Sequence, residues 1–275
     1  MSTTSTVTTS TLDVPGARLH YEVRGSGPLL VLVGAPMGAG AFTAAAELLA
    51  SDHTVVTTDP RGIDRSTVDR PDEDSFPQDR AADLARLIAH VDAGPATVLG
   101  SSGGAVSVLA LAQDHPGAAA VVIAHEPPLY GVVDDTERLQ RDQDQMIAVY
   151  ESGDRVEAQR QFLRAADIEM PEDVFQMIFG QTPDAQALAD ERFQFLHMMR
   201  GTTRWQPDVD RLRDGPTQVL VGIGEASGGQ FCDRASRALA AQLGIDATMF
   251  PGGHVGFVED PPAFVARLRE VLTPG

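Results

Sequence analysis

TVLGSSGGAVSVLALA, residues 97–112, joins two apolar runs through two serines and three glycines. Thr97-Val98-Leu99 has the length and composition of the end of a buried strand. The run from Ala105 onward has those of a buried helix. A strand that turns sharply into a helix projects one side chain from the tip of the turn. It also brings strand and helix so close that the residues two before and two after the tip must be small. Ser102 meets that demand, with Gly100 and Gly104 on either side. Ser101 does not, because Leu99 would clash. The stretch therefore reads G-x-S-x-G with Ser102 at the tip, and its glycines permit the unusual backbone angles such a turn needs. A phosphate-cradling turn fits less well: the spacing is not G-x-G-x-x-G, and no acidic ribose partner follows.

Outward from this joint, short β-type runs recur at 18–23, 29–33, 54–58, 96–100, 121–124, 218–222 and 247–250. Most are apolar throughout, as expected of strands covered on both faces. Helical stripes lie between them. Leu84, Leu87, Ile88 and Val91 form one, and Phe264, Leu268, Val271 and Leu272 another. Alternation of this kind predicts an α/β fold with a mostly parallel sheet of eight strands and helices on both faces. Residues 129–214 break the rhythm. They offer no good strand but four helical stretches, near 134–152, 154–168, 171–180 and 183–200, with Pro171 and Pro183 at first-turn positions. The expected organisation is a flexible tail over 1–12, a core over 13–128 and 215–275, and a helical lid over 129–214 lying above the C-terminal edge of the sheet.

A serine hydroxyl needs a base to become nucleophilic, and an acid to orient that base. His254, in MFPGGHVGFVEDP (249–261), follows the last strand on a glycine-freed loop and is the expected base. The acid should follow a strand between the serine and the histidine. Glu225, in QVLVGIGEASGG (218–229), is the expected acid. Glu126, in VVIAHEPPL (121–129), is the alternative, and His125 beside it is read as structural. The oxyanion donors should be the N–H groups of Gly103, directly after the nucleophile, and of Ala35 in LVGAPMGAG (32–40). Pro36 has no N–H to give.

Composition narrows the function further. The chain has 275 residues and a formal charge of −18, and its 21 basic residues are all arginine. Without lysine, Schiff-base catalysis and a P-loop are excluded. The acidic balance argues against nucleic acid and anionic membrane as partners. A single cysteine, Cys232, leaves no internal disulfide and fits a reducing compartment. MSTTSTVTTSTLD, at the start, has neither the basic nor the apolar region of a secretory signal, and no apolar run approaches the roughly 20 residues of a membrane span. A cytoplasmic location is expected. No zinc-type motif or Cys/His cluster of ligand spacing is present, so neither metal nor cofactor is expected.

Taken together, these segments resemble the α/β-hydrolase superfamily over nearly the whole chain. GARLHYEVRGSGPLLVLVG (16–34) is similar to that family's opening hairpin and third strand. VVTTDPRGIDRS (55–66) is similar to its D-x-R-G-x-G-x-S stretch, matching at Asp59, Arg61, Gly62 and Ser66. PTQVLVGIGE (216–225) and FPGGHVGFVEDPPAF (250–264) resemble its acid and histidine segments. Two departures stand out. The family often has His-Gly before the oxyanion residue, where this chain has Val33-Gly34, and its acid is usually Asp rather than Glu.

The resemblance implies a cofactor-independent serine hydrolase that cleaves a carboxylic ester, thioester or lactone through an acyl-enzyme on Ser102. The alternatives are another chemistry on the same triad (perhydrolase, acyl transferase or lyase) or a ligand-binding protein on this scaffold. A serine at the tip disfavours the epoxide hydrolase and haloalkane dehalogenase chemistries. The expected partner is a small apolar acyl substrate, with a homodimer left open. Phe195 and Met199 are the lid side chains expected to face the serine and select the acyl group.

Overall fold

The computed structural model describes residues 6–273. The chain begins with an antiparallel hairpin, β1 (Thr8–Val14) and β2 (Ala17–Arg24), registered from Thr8 opposite Val23 to Val14 opposite Ala17. Then come β3 (Leu29–Ala35), α1 (Thr43–Leu49), β4 (Thr54–Thr58), the two-residue β5 (Thr67–Val68) and α2 (Pro77–Val91). The central unit is β6 (Ala96–Ser102), α3 (Gly103–Asp114) and β7 (Val121–His125). Between β7 and the next strand lie α4 (Thr136–Glu151), α5 (Arg155–Ala165), α6 (Glu172–Phe179), α7 (Ala185–Phe193), α8 (Met199–Thr203) and α9 (Val209–Asp214). The chain returns through β8 (Gln218–Gly224), α10 (Phe231–Leu243), β9 (Thr248–Phe250), α11 (Gly256–Glu259) and α12 (Pro261–Leu272).

Nine strands form one sheet in the order β1-β2-β4-β3-β6-β7-β8-β9, with β5 attached to β2. From β4 to β9 every pairing is parallel. All seven residues of β3 are buried, as the apolar sequence of a strand covered on both faces requires. One face packs α2, α3 and α10 over Val31, Val98 and Val122. The other packs α1 and α12 over Leu32, Leu99 and Ile123. Helix α3 lies so deep that Gly103 through Ala112 are all buried, which explains its apolar composition.

Two expectations need correction. The predicted tail, 1–12, includes residues 8–12, which belong to β1; residues 1–5 lie outside the described part. The Ser/Thr-rich composition of β1 hid it. It is an edge strand with four of its seven residues exposed, and Thr is a good β-former there. The sheet also has nine strands rather than eight, two more than the seven runs read directly from the sequence, namely β1 and the short β5.

The helices between β7 and β8 match the predicted helical stretches closely, and they are pinned to the rest of the chain. Arg80 of α2 is buried, and it donates to Ser107 of α3, to Ser75 and to Thr202 of α8. Burial pulls its pKa down to about 10. The N–H of Ser75 donates to the carbonyl of His197 at 2.7 Å. Gly62, at φ +78°, leaves space for the ring of Phe193, which would lie 2.5 Å from a Cβ placed there. Among the described residues no helix is long and apolar enough to cross a membrane.

Candidate active site

Ser102 stands at the junction of β6 and α3 with φ 58° and ψ −124°, a conformation that L-residues rarely adopt. The neighbouring glycines make this turn sterically feasible. A Cβ on Gly100 would lie 2.3 Å from the carbonyl oxygen of Gly104, and one on Gly104 would lie 2.4 Å from that of Val33. The strand and helix therefore approach to backbone contact at the two glycines that flank Ser102. Ser101 is buried, its hydroxyl 3.4 Å from Nδ1 of His125. Ser102 opens into a cleft that His254 also lines.

The acid beside His254 is Glu126. Nδ1 of His254 donates to Oε2 of Glu126 at 2.5 Å. Glu126 is fully buried, its other oxygen accepts from the N–H of Gly224 at 2.8 Å, and its own N–H donates to Gly222. Glu225, the expected acid, is exposed and opens the short turn 225–227. That expectation is therefore corrected in favour of the alternative. The reason is the order of strands in space. β7 lies next to β6, whereas β8 is one strand further out, a step of about 4.8 Å. Glu126 also takes a left-handed φ of 54°, which turns the chain as it leaves β7.

The two glycines ending β8 complete the arrangement. A Cβ on Gly224 would lie 2.5 Å from the carbonyl of Gly253, in the loop that carries His254. A Cβ on Gly222 would press on Phe250 and His125. The one signal for Glu126 in the sequence was its place directly after a strand, which Glu225 shares, so the choice between them falls to the packing around His254.

The electrostatics follow from this packing. Burial disfavours the charged form of Glu126, but its bond to His254 outweighs that cost and holds the carboxyl below its usual pKa. Burial likewise disfavours the imidazolium of His254, yet Cys232 and Glu126 together push its pKa up, to about 10. His125, packed edge-on against Phe250 and Phe264, is pushed down to about 4 by burial and stays neutral.

The cleft encloses about 850 Å³, its open mouth included. Its floor holds Ala35, Pro36, Ser102, Gly103 and His254, and its roof includes Met146, Phe162, Gln194, Met198 and Met199. Among the described residues no arginine or carboxylate lines it. A π-helical turn over Gln194–Met198 carries Gln194 and Met198 into the cleft. Met199 lines the cleft as expected. Phe195 does not: it is fully buried between helices, stacked on Tyr150 of α4 with ring centroids 4.4 Å apart. The two lie four residues apart, and the packing of neighbouring helices decides that Met199 rather than Phe195 meets the cleft. Sequence reasoning also missed Cys232, in the first turn of α10, which lines the cleft beside His254. Its sulfur, a His254 nitrogen and a Glu126 oxygen lie within 4.8 Å of one another, and these three could hold a metal ion.

Comparison with known proteins agrees with this fold. The profile of the alpha/beta hydrolase family matches residues 29–268. The chain is 33% identical over 272 residues to the uncharacterized hydrolase YraK of Bacillus subtilis (strain 168), covering 97% of each chain. It is 27% identical over 285 residues to the zearalenone hydrolase of Bionectria ochroleuca, covering 96% of this chain and 97% of that one. Among solved structures, an alpha/beta hydrolase from Sphaerobacter thermophilus superposes with a TM-score of 0.67 at 23% identity, covering 94% of this chain and 100% of the other.

Proposed function

The chain belongs to the alpha/beta hydrolase family, and from that premise we propose that it is a serine hydrolase of neutral, apolar carboxylic esters, thioesters or lactones. One observation carries the reading: a histidine oriented by a fully buried glutamate shares a cleft with a serine at the tip of a strained strand–helix turn. In the proposed reaction Ser102 attacks the acyl carbon. His254 takes the serine proton on Nε2, because the bond to Glu126 keeps the other proton on Nδ1. Glu126 stabilises the imidazolium that forms. The N–H groups of Gly103 and Ala35, both at the floor of the cleft, are the proposed donors to the oxyanion. His254 then returns its proton to the leaving group, and water releases the acyl chain by the same steps in reverse order.

The lining supports the substrate class. With no arginine or carboxylate among the described residues that line the cleft, a charged acyl group would lose its hydration without gaining a partner. Gln194, Thr202, Thr203 and Gln230 supply neutral hydrogen-bonding groups along an otherwise apolar wall. Relatives named as hydrolases, one of them for zearalenone, fit the same reading.

A serine-directed phosphonate, combined with a panel of neutral and carboxylate-bearing esters and lactones, tests it. Labelling at Ser102 and turnover of the neutral members are expected. Labelling without hydrolysis would redirect the reading to acyl transfer onto an acceptor other than water, and absence of both would overturn it.

A further inference from the structure

The proposed reaction uses Glu126 and His254 but has no task for Cys232. Yet the thiol sits against that pair. One oxygen, one nitrogen and one sulfur donor, each from a different element, lie within 4.8 Å of one another. Glu126 is anchored at the end of β7 by the N–H of Gly224. His254 hangs on the loop between β9 and α11, and Cys232 on the first turn of α10. The three donors are therefore held by separate parts of the fold rather than by one flexible segment.

The geometry points to a binding site for a borderline-soft divalent cation of the zinc class, held by Glu126, Cys232 and His254, which blocks the cleft's chemistry by occupying the base. A zinc ion takes oxygen and nitrogen at about 2.0–2.2 Å and sulfur at about 2.3 Å, so the three donors are near enough to surround it once His254 and Glu126, now 2.5 Å apart, separate to admit it. Nδ1 of His254, which faces Glu126, takes the metal, the ring's one remaining proton then sits on Nε2, where it bars acceptance of the Ser102 proton, and the displaced protons of the ring and of the thiol go to solvent. The fourth position is left to water. A thiolate and an imidazole select zinc or cadmium over magnesium or calcium, which prefer oxygen ligands alone. Cation binding as such does not depend on the hydrolase reading; the consequence for turnover does.

The test is zinc titration of the purified full-length protein by equilibrium dialysis, followed by turnover of an ester in parallel. One zinc per chain is expected, with magnesium unable to compete, and loss of turnover that tracks occupancy and is reversed by chelator. Cys232→Ala and Glu126→Gln should each weaken zinc binding by at least about tenfold, since loss of even an outer-shell partner costs about that much. Glu225→Gln should leave zinc affinity unchanged, and circular dichroism on each variant separates lost ligands from lost fold. Undiminished binding in Cys232→Ala would place the metal elsewhere and overturn the proposal. So would a loss in Cys232→Ala alone, with Glu126→Gln unaffected, because it would mean binding to an isolated thiol. If no ester is turned over, the hydrolase reading fails while the dialysis result still decides the metal site.

Discussion

Two glutamates end neighbouring strands, Glu126 after β7 and Glu225 after β8, and their environments are opposite. Glu126 is fully buried, accepts from a backbone N–H and from His254, and turns the chain through a left-handed φ. Glu225 is exposed at the start of a short turn. Both stand between the serine and the histidine in sequence, so chain order cannot separate them. Proximity to β6 does. A buried carboxylate can persist as a charge only beside a partner such as an imidazolium, and so burial and role go together here.

The largest effect concerns the centre that either acid would serve. Ser102→Ala should lower kcat by on the order of 10⁶-fold, while Ser101→Ala keeps most of the activity. Ester turnover by the two purified variants checks this, and a dead Ser101→Ala would shift the site to the wrong serine. The comparison itself is decided next. Glu126→Gln should cost on the order of 10³- to 10⁴-fold in kcat, by analogy with loss of the orienting acid in serine proteases. Glu225→Gln should stay within about twofold, as expected of a surface position. Steady-state rates that fall equally in both variants would break the distinction.

A pH profile sharpens it. His254 must be neutral to accept the Ser102 proton, and its pKa is held above the ordinary 6.5. Activity should therefore rise with pH through an acid limb on the alkaline side of that value. In Glu126→Gln the imidazolium loses its carboxylate, its pKa falls, and the limb should move to lower pH even as the plateau drops. In Glu225→Gln the limb should stay where it is. A limb that moves in Glu225→Gln instead would reassign the acid.

The smallest effect on turnover repeats the lesson in the cap. Phe195 and Met199 lie one helical turn apart, but Phe195 is locked against Tyr150 while Met199 reaches the cleft. Met199→Ala should reorder the preference for acyl chain length at modest cost in stability. Phe195→Ala should leave that order intact and destabilise the protein by about 3–5 kcal/mol, the usual range for a buried phenylalanine. Substrate ranking and thermal unfolding of the two variants, read side by side, check the split.

Local sterics and periodicity were legible along the chain. The glycines around Ser102 announce a turn that only a close strand–helix contact requires, and that requirement names the serine without any structure. Apolar strands alternating with amphipathic helices give the parallel sheet, and the loss of strands over 129–214 marks the run of helices between β7 and β8. The hairpin strand β1 was missed because an exposed Ser/Thr-rich edge strand has the same composition as a disordered tail.

What the sequence by itself determined, then, was the parallel α/β fold, the run of helices between β7 and β8, and the serine and histidine that share the cleft. Each depends on residues within a few positions of one another, where chain geometry leaves little freedom. Only the tertiary structure decided which glutamate meets His254, which cap side chains face the cleft, and that Cys232 lies beside the histidine. Those contacts join segments up to 128 residues apart. They depend on which strands are neighbours and on how helices rotate against one another, and neither is written in local spacing.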